Sequence, residues 1–93
     1  MIKRELSDDV IEALESTTSE VVELLGRFSV GEYWEKPFHV PKNPDDTAQM
    51  MRYVALLKQS GLDIGKGDSQ FGYKMPLPEK DKSIRYLQIF RRR

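Results

Sequence analysis

Val10, Leu14, Thr17, Val21, Leu24 and Phe28 recur at intervals of three and four, the spacing of one buried helical face. Ser7 is placed to cap that helix, and Asp8 and Asp9 put negative charge at the positive end of its dipole. Gly26 is expected to close it as a left-handed C-cap. The run Ser16-Thr17-Thr18-Ser19 interrupts this pattern with residues that favour caps and turns, and Thr17 with Glu20 has capping-box spacing. The pattern therefore reads either as one helix over 8–26 or as two short helices meeting at the run, with one helix preferred. In segment 28–43, Pro37 and Pro41 forbid a continuous helix. Its Tyr33, Trp34, Phe38 and Val40 suit a short edge strand or an irregular packed loop.

Asn43-Pro44-Asp45-Asp46 is the clearest helix start in the chain: a capping Asn, a proline at the first helical position and two acids in the first turn. Met50, Met51, Val54 and Leu57 form the apolar stripe, with Tyr53 and Leu56 widening it. Gly61, just past Lys58, stops a helix predicted over 44–60. The adjacent Met50 and Met51 read as core filling rather than as an adaptable surface. Beyond Gly61 the period changes to two. Leu62-Asp63-Ile64 alternates, Gly65 to Ser69 reads as a turn, and Phe71, Tyr73 and Met75 form a half-buried strand ended by Pro76 and Pro78. Residues 79–83 make a hairpin loop. In the last strand Ile84, Tyr86 and Gln88 face one way and Arg85, Leu87 and Ile89 the other, as for a strand sheltered on both faces or packed at an edge.

The chain has 93 residues, enough for one core, and the whole of 1–93 is read as a single domain. Its segments are an acidic helix (1–27), the aromatic irregular segment (28–43), a helix (44–60), a β-hairpin (62–90) and a basic tail (91–93). No apolar run approaches the length of a membrane span, and charges stand where a signal peptide would be apolar. The absence of cysteine excludes disulfides and thiolate metal sites and fits a reducing cytoplasm, where the protein is expected. The net charge of zero conceals a strong asymmetry. Residues 1–49 carry five Lys/Arg against eleven Asp/Glu, and residues 50–93 carry ten against four. Segregation of this kind points to a basic binding surface, to halves that pack on each other, or to head-to-tail contact between copies.

Thr47 to Ile64, with Phe71-Gly-Tyr-Lys-Met75 further on, resembles the reading helix and wing of a winged-helix domain. The shared words are a helix ending in Leu-x-x-x-Gly-x-x-Ile and a Gly-Tyr-x-apolar strand. The likeness implies a helix stopped sharply by Gly61, with its inner face covered by Ile64, Tyr73 and Met75. It further implies double-stranded DNA as a partner. Gln49, Arg52 and Lys58 would then face the bases, Lys80 and Lys82 would meet phosphates from the wing tip, and Arg85 with Arg91, Arg92 and Arg93 would extend the basic strip.

Catalytic and metal chemistry have little support. His39 is the only histidine and has no acidic partner at metal-ligand spacing. The carboxylates of the first helix lie opposite its apolar stripe and read as a solvated face. Gly65-Lys66-Gly67-Asp68-Ser69 lacks the full phosphate-loop spacing and is followed by no helix. Tyr33, Trp34 and Phe38 are a candidate partner-binding cluster, weighed against burial of the only tryptophan in the core. The expectation is an α+β, winged-helix-like domain with two main helices and a C-terminal β-hairpin, with no cofactor, metal or membrane. The function expected is non-enzymatic nucleic-acid binding or regulation through the basic half, or alternatively interaction with a protein partner or with itself.

Overall fold

The structure, a computed structural model, describes residues 2–4, 8–16, 18–40, 42–64, 67–76 and 83–93. Three helices and five strands follow in the order β1 (Ile2–Lys3), α1 (Asp8–Leu14), α2 (Thr18–Leu25), β2 (Glu32–His39), α3 (Pro44–Gln59), β3 (Asp63–Ile64), β4 (Phe71–Lys74) and β5 (Ile84–Arg91). The strands form one sheet in the order β1-β2-β5-β4-β3. Its three central strands are antiparallel, and a two-residue strand adds in parallel at each edge. The chain is thus an α+β domain, with the β4–β5 hairpin where the sequence anticipated one.

The preferred single helix over 8–26 is two helices. The last turn of α1 tightens as the Ser16 N–H bonds to the Ala13 carbonyl, and α2 restarts at Thr18. Ser16 and its neighbours favour local turns over helix propagation, which places the break at this run; Thr17 itself lies outside the described residues. The restart also resets the buried face. Val10, Ala13 and Leu14 are buried from α1, Val21 and Leu25 from α2, and Leu24 is only partly covered. Gly26 is not left-handed; the described glycines with positive φ are Gly31 (+88°) and Gly61 (+87°).

Within segment 28–43 the strand alternative is the one formed, over residues 32–39. Eight of its residues form β2, which pairs along its length with β5. Pro37 is tolerated there for a geometric reason. Its partner Tyr86 turns its N–H the other way, toward the Pro76 carbonyl, so Pro37 occupies a position that bonds away from β5. Among the described residues β1 pairs only with Glu32 and Tyr33 on that side, so no described strand faces Pro37 there.

All three helices lie on one face of the sheet. Trp34 and Phe38 of β2, Leu87 and Ile89 of β5 and Tyr73 of β4 meet Met50, Tyr53 and Leu57 of α3 and the buried residues of α1 and α2. Phe38 packs edge-on against Tyr53, with ring centroids 6.0 Å apart. Residue alternation puts Tyr33, Glu35, His39, Tyr86, Gln88 and Lys74 on the opposite face. No helix of the described residues is long and apolar enough to cross a membrane.

Candidate binding groove

Helix α3 is held by a fully formed N-cap. The Asn43 side chain accepts from the N–H groups of Asp45 (3.0 Å) and Asp46 (3.3 Å), and Pro44 needs no acceptor at the first position. The Asp46 carboxylate in turn accepts the His39 backbone N–H at 2.8 Å, fixing the helix to the end of β2. Gly61, in the left-handed region, ends the helix and sends the chain toward the sheet. Between these fixed ends, Met50, Tyr53 and Leu57 turn inward.

Met51, Ala55 and Lys58 share the opposite face at intervals of four and three, and Arg52 is exposed beside them. Met51, expected in the buried stripe, is 65% exposed. Adjacent helical positions diverge by about 100°, so Met50 and Met51 cannot both point into one narrow core. Met50, Met51 and Val54 of α3, with Met75 and Arg85 of the β4–β5 hairpin, line a groove of about 420 Å³ that also includes Ala55 and Lys58. Its apolar lining is methionine, valine and alanine, with the exposed Met51 at its edge, and Lys58 and Arg85 are its cations. Arg85 Nε donates to the Met75 carbonyl at 3.4 Å, which keeps its guanidinium on the hairpin side.

The residues singled out from sequence therefore separate. Arg52, Lys58 and Arg85 are all exposed, and of these Lys58 and Arg85 line the groove. Lys80 and Lys82 lie outside the described residues. Gln49 is directed at α1, where its amide donates to Glu15 Oε1 at 3.3 Å. The terminal arginines are turned onto backbone carbonyls. Arg91 reaches those of Gly26 and Phe28, Arg92 those of Ser69 (3.0 Å) and Phe71 (3.2 Å), and Arg93 that of Asp68. These bonds join the last strand to the α2–β2 and β3–β4 connections, so the triplet ties the fold together rather than forming a projecting arm. Trp34 and Phe38 are wholly enclosed, leaving Tyr33 as the partly exposed member of the aromatic cluster. Ile64, expected to cover α3, is exposed.

Two other surfaces frame the groove. The exposed side of α1 and α2 is acidic. A depression of about 250 Å³ there has Ala13 and Leu24 among its lining and Asp9, Glu12 and Glu23 around it, with the Glu23–Arg27 ion pair at 3.4 Å. The helix-free face of the sheet is polar and cross-linked. Glu35 takes Lys3 at 3.4 Å and the Gln88 amide at 2.8 Å, while Lys74 and Arg92 lie over the Phe90 ring at 5.8 and 5.0 Å. Among the described residues no three His, Asp or Glu side chains are grouped to hold a metal ion, and His39 is exposed at the end of β2.

Tyr53 joins the helices beneath the groove. Its hydroxyl donates to Glu15 Oε1 at 3.0 Å, and burial first, then this bond, push its ionisation up to about 12. In the β3–β4 connection, hydrogen bonds from Ser69 hold the Asp63 carboxyl below its ordinary range; the Ser69 N–H lies 2.7 Å from Asp63 Oδ2.

Sequence reasoning found the cations of the groove and missed its floor. The available signal was the Met50-Met51 pair on a helix whose other inward positions, Tyr53 and Leu57, already fix one buried direction. Comparison with protein-family models, curated proteins and solved structures finds no match to this chain.

Proposed function

We propose that the domain is a non-enzymatic interaction module of regulatory type, whose working surface is the groove between α3 and the β4–β5 hairpin. Its partner on this reading is an acidic, amphipathic segment of protein. The observation that carries the reading is the groove's make-up: an apolar lining of Met50, Val54 and Met75 with the exposed Met51 at its edge, beside the cations Lys58 and Arg85. Methionine floors adapt to varied apolar side chains, and flanking cations select acidic neighbours. Nucleic-acid interfaces are more polar and more strongly charged than this floor.

A second reading is binding of double-stranded DNA, with α3 as the reading helix and β4–β5 as the wing, in keeping with the winged-helix likeness of residues 47–77. It is favoured by the exposed cations Lys58 and Arg85, which share one flank of α3 and β5. The engagement of Gln49 with Glu15 and of Arg91 and Arg92 with carbonyls counts against it.

Two labelled probes, titrated in parallel at low and high salt, separate the readings. One is an acidic helical peptide with leucines at i, i+3, i+4 and i+7, set against a scrambled control; the other is a DNA duplex. The expected result is saturable binding of the amphipathic peptide over its scramble, weakened at least tenfold by Met51→Glu. Duplex binding that falls steeply with salt, is lost on Lys58→Glu/Arg85→Glu and ignores Met51→Ala would contradict the protein reading and support the DNA one.

A further inference from the structure

The acidic and basic halves of the sequence end up on different surfaces of the molecule. Asp9, Glu12 and Glu23 line the depression on α1 and α2, with Arg27 paired to Glu23 at its side, while Lys58 and Arg85 line the groove between α3 and the hairpin. Among the described residues the ion pairs Lys3–Glu35, Arg4–Glu32 and Arg27–Glu23 do not join the two surfaces.

The apolar parts are complementary as well. Met51 is the projecting apolar side chain of the basic flank, with Arg52 next to it and Lys58 two turns along the same face. The acidic depression has Ala13 and Leu24 in its lining. A methionine entering an alanine- and leucine-lined depression buries apolar area while Lys58, Arg52 and Arg85 meet the acids around it. Both halves of the match belong to the same chain, whose charges sum to zero.

Resting on the groove reading, we propose that the occupant of the α3–hairpin surface is a second copy of this chain, which receives Met51 in the acidic depression of its α1–α2 pair. Such a contact is head-to-tail: each copy offers a different patch, so a pair retains one unused patch of each kind and longer assemblies can form at high concentration. Its strength falls with salt, because the charges involved are solvent-exposed and the screening length shrinks from about 10 Å at 0.1 M to about 3 Å at 1 M. Polyanions compete for the same cations.

The test uses the full chain and two double variants, Lys58→Glu/Arg85→Glu and Glu12→Lys/Glu23→Lys, with solution mass measured by sedimentation across a concentration series. All four substituted positions are exposed, three on helices and Arg85 on β5, and thermal melts verify that each variant is folded. The wild type is expected to reach at least twice its chain mass at low salt and to return to monomer near about 1 M salt. Each double variant alone is expected to stay monomeric, because its two patches then carry like charge. Their equimolar mixture is expected to regain assembly, since both the altered pair and the unaltered pair of patches are complementary. A wild type monomeric at every concentration, a variant that assembles alone like the wild type, or a mixture that stays monomeric would each overturn the proposal. A monomeric wild type that still binds the amphipathic peptide overturns self-pairing and leaves the groove reading standing; loss of both overturns both.

Discussion

Trp34 fills the centre of the helix-facing side of the sheet, opposite Ile89, with its side chain wholly enclosed. Its aromatic neighbour Tyr33 points to the other face and is partly exposed. Trp34→Ala is therefore expected to destabilise the fold by about 3–5 kcal/mol, the usual cost of emptying an aromatic site in a core. Tyr33→Ala should cost far less, and denaturant melts of the two variants compare them directly. The sequence offered both residues as one cluster, because aromatic content does not reveal which side of a strand a residue occupies until the strand itself is recognised. Tyr53 adds a pH dependence. Its neutral form is the one the fold holds, so its contribution is intact below its ordinary value of 10.0 and is lost as the pH rises through about 12. Denaturant midpoints taken across that window should fall less steeply in Tyr53→Phe than in the wild type.

At the scale of elements, α3 was legible because its signals are local. Asn43, Pro44, Asp45 and Asp46 act on the backbone within one turn, and the cap they predict is formed. Asn43→Ala is expected to cost about 1 kcal/mol, the common value for a lost N-cap. Gly61→Ala is expected to cost about 1–2 kcal/mol through its left-handed backbone alone, since a Cβ there meets nothing within 4 Å. Melts of both variants check these values, and a Gly61→Ala protein as stable as the wild type would contradict the assigned turn. For β2 the sequence left a short edge strand and a packed loop both open, because Pro37 counts against a strand unless the side its nitrogen faces is known. Strands β1 and β3, two residues each, depend wholly on partners brought from elsewhere in the chain. The interruption of the first helix was visible in its Ser/Thr run, but local preference did not decide between one helix and two; the different buried faces of α1 and α2 did.

For the whole molecule, part of the charge asymmetry of the sequence becomes a division of its surface, with acids on the exposed side of α1 and α2 and the cations Lys58 and Arg85 at the groove between α3 and the hairpin. That much followed from counting. Which cations remain outward did not, because Arg91 and Arg92 are held by carbonyls of residues 21 to 65 positions away, contacts that no spacing rule exposes. The groove floor escaped notice for a related reason: methionine reads as core in a sequence, and only the packing of Tyr53 and Leu57 shows that Met51 is turned outward. The central claim is that this floor, rather than the aromatic segment or the arginine triplet, is the working surface. Its most direct test is the methyl spectrum of methionine-labelled protein, in which Met50, Met51 and Met75 report on the groove. On addition of the acidic amphipathic peptide these three signals are expected to shift together and saturate, with Met51 moving most. Binding that leaves all three unmoved would contradict the account.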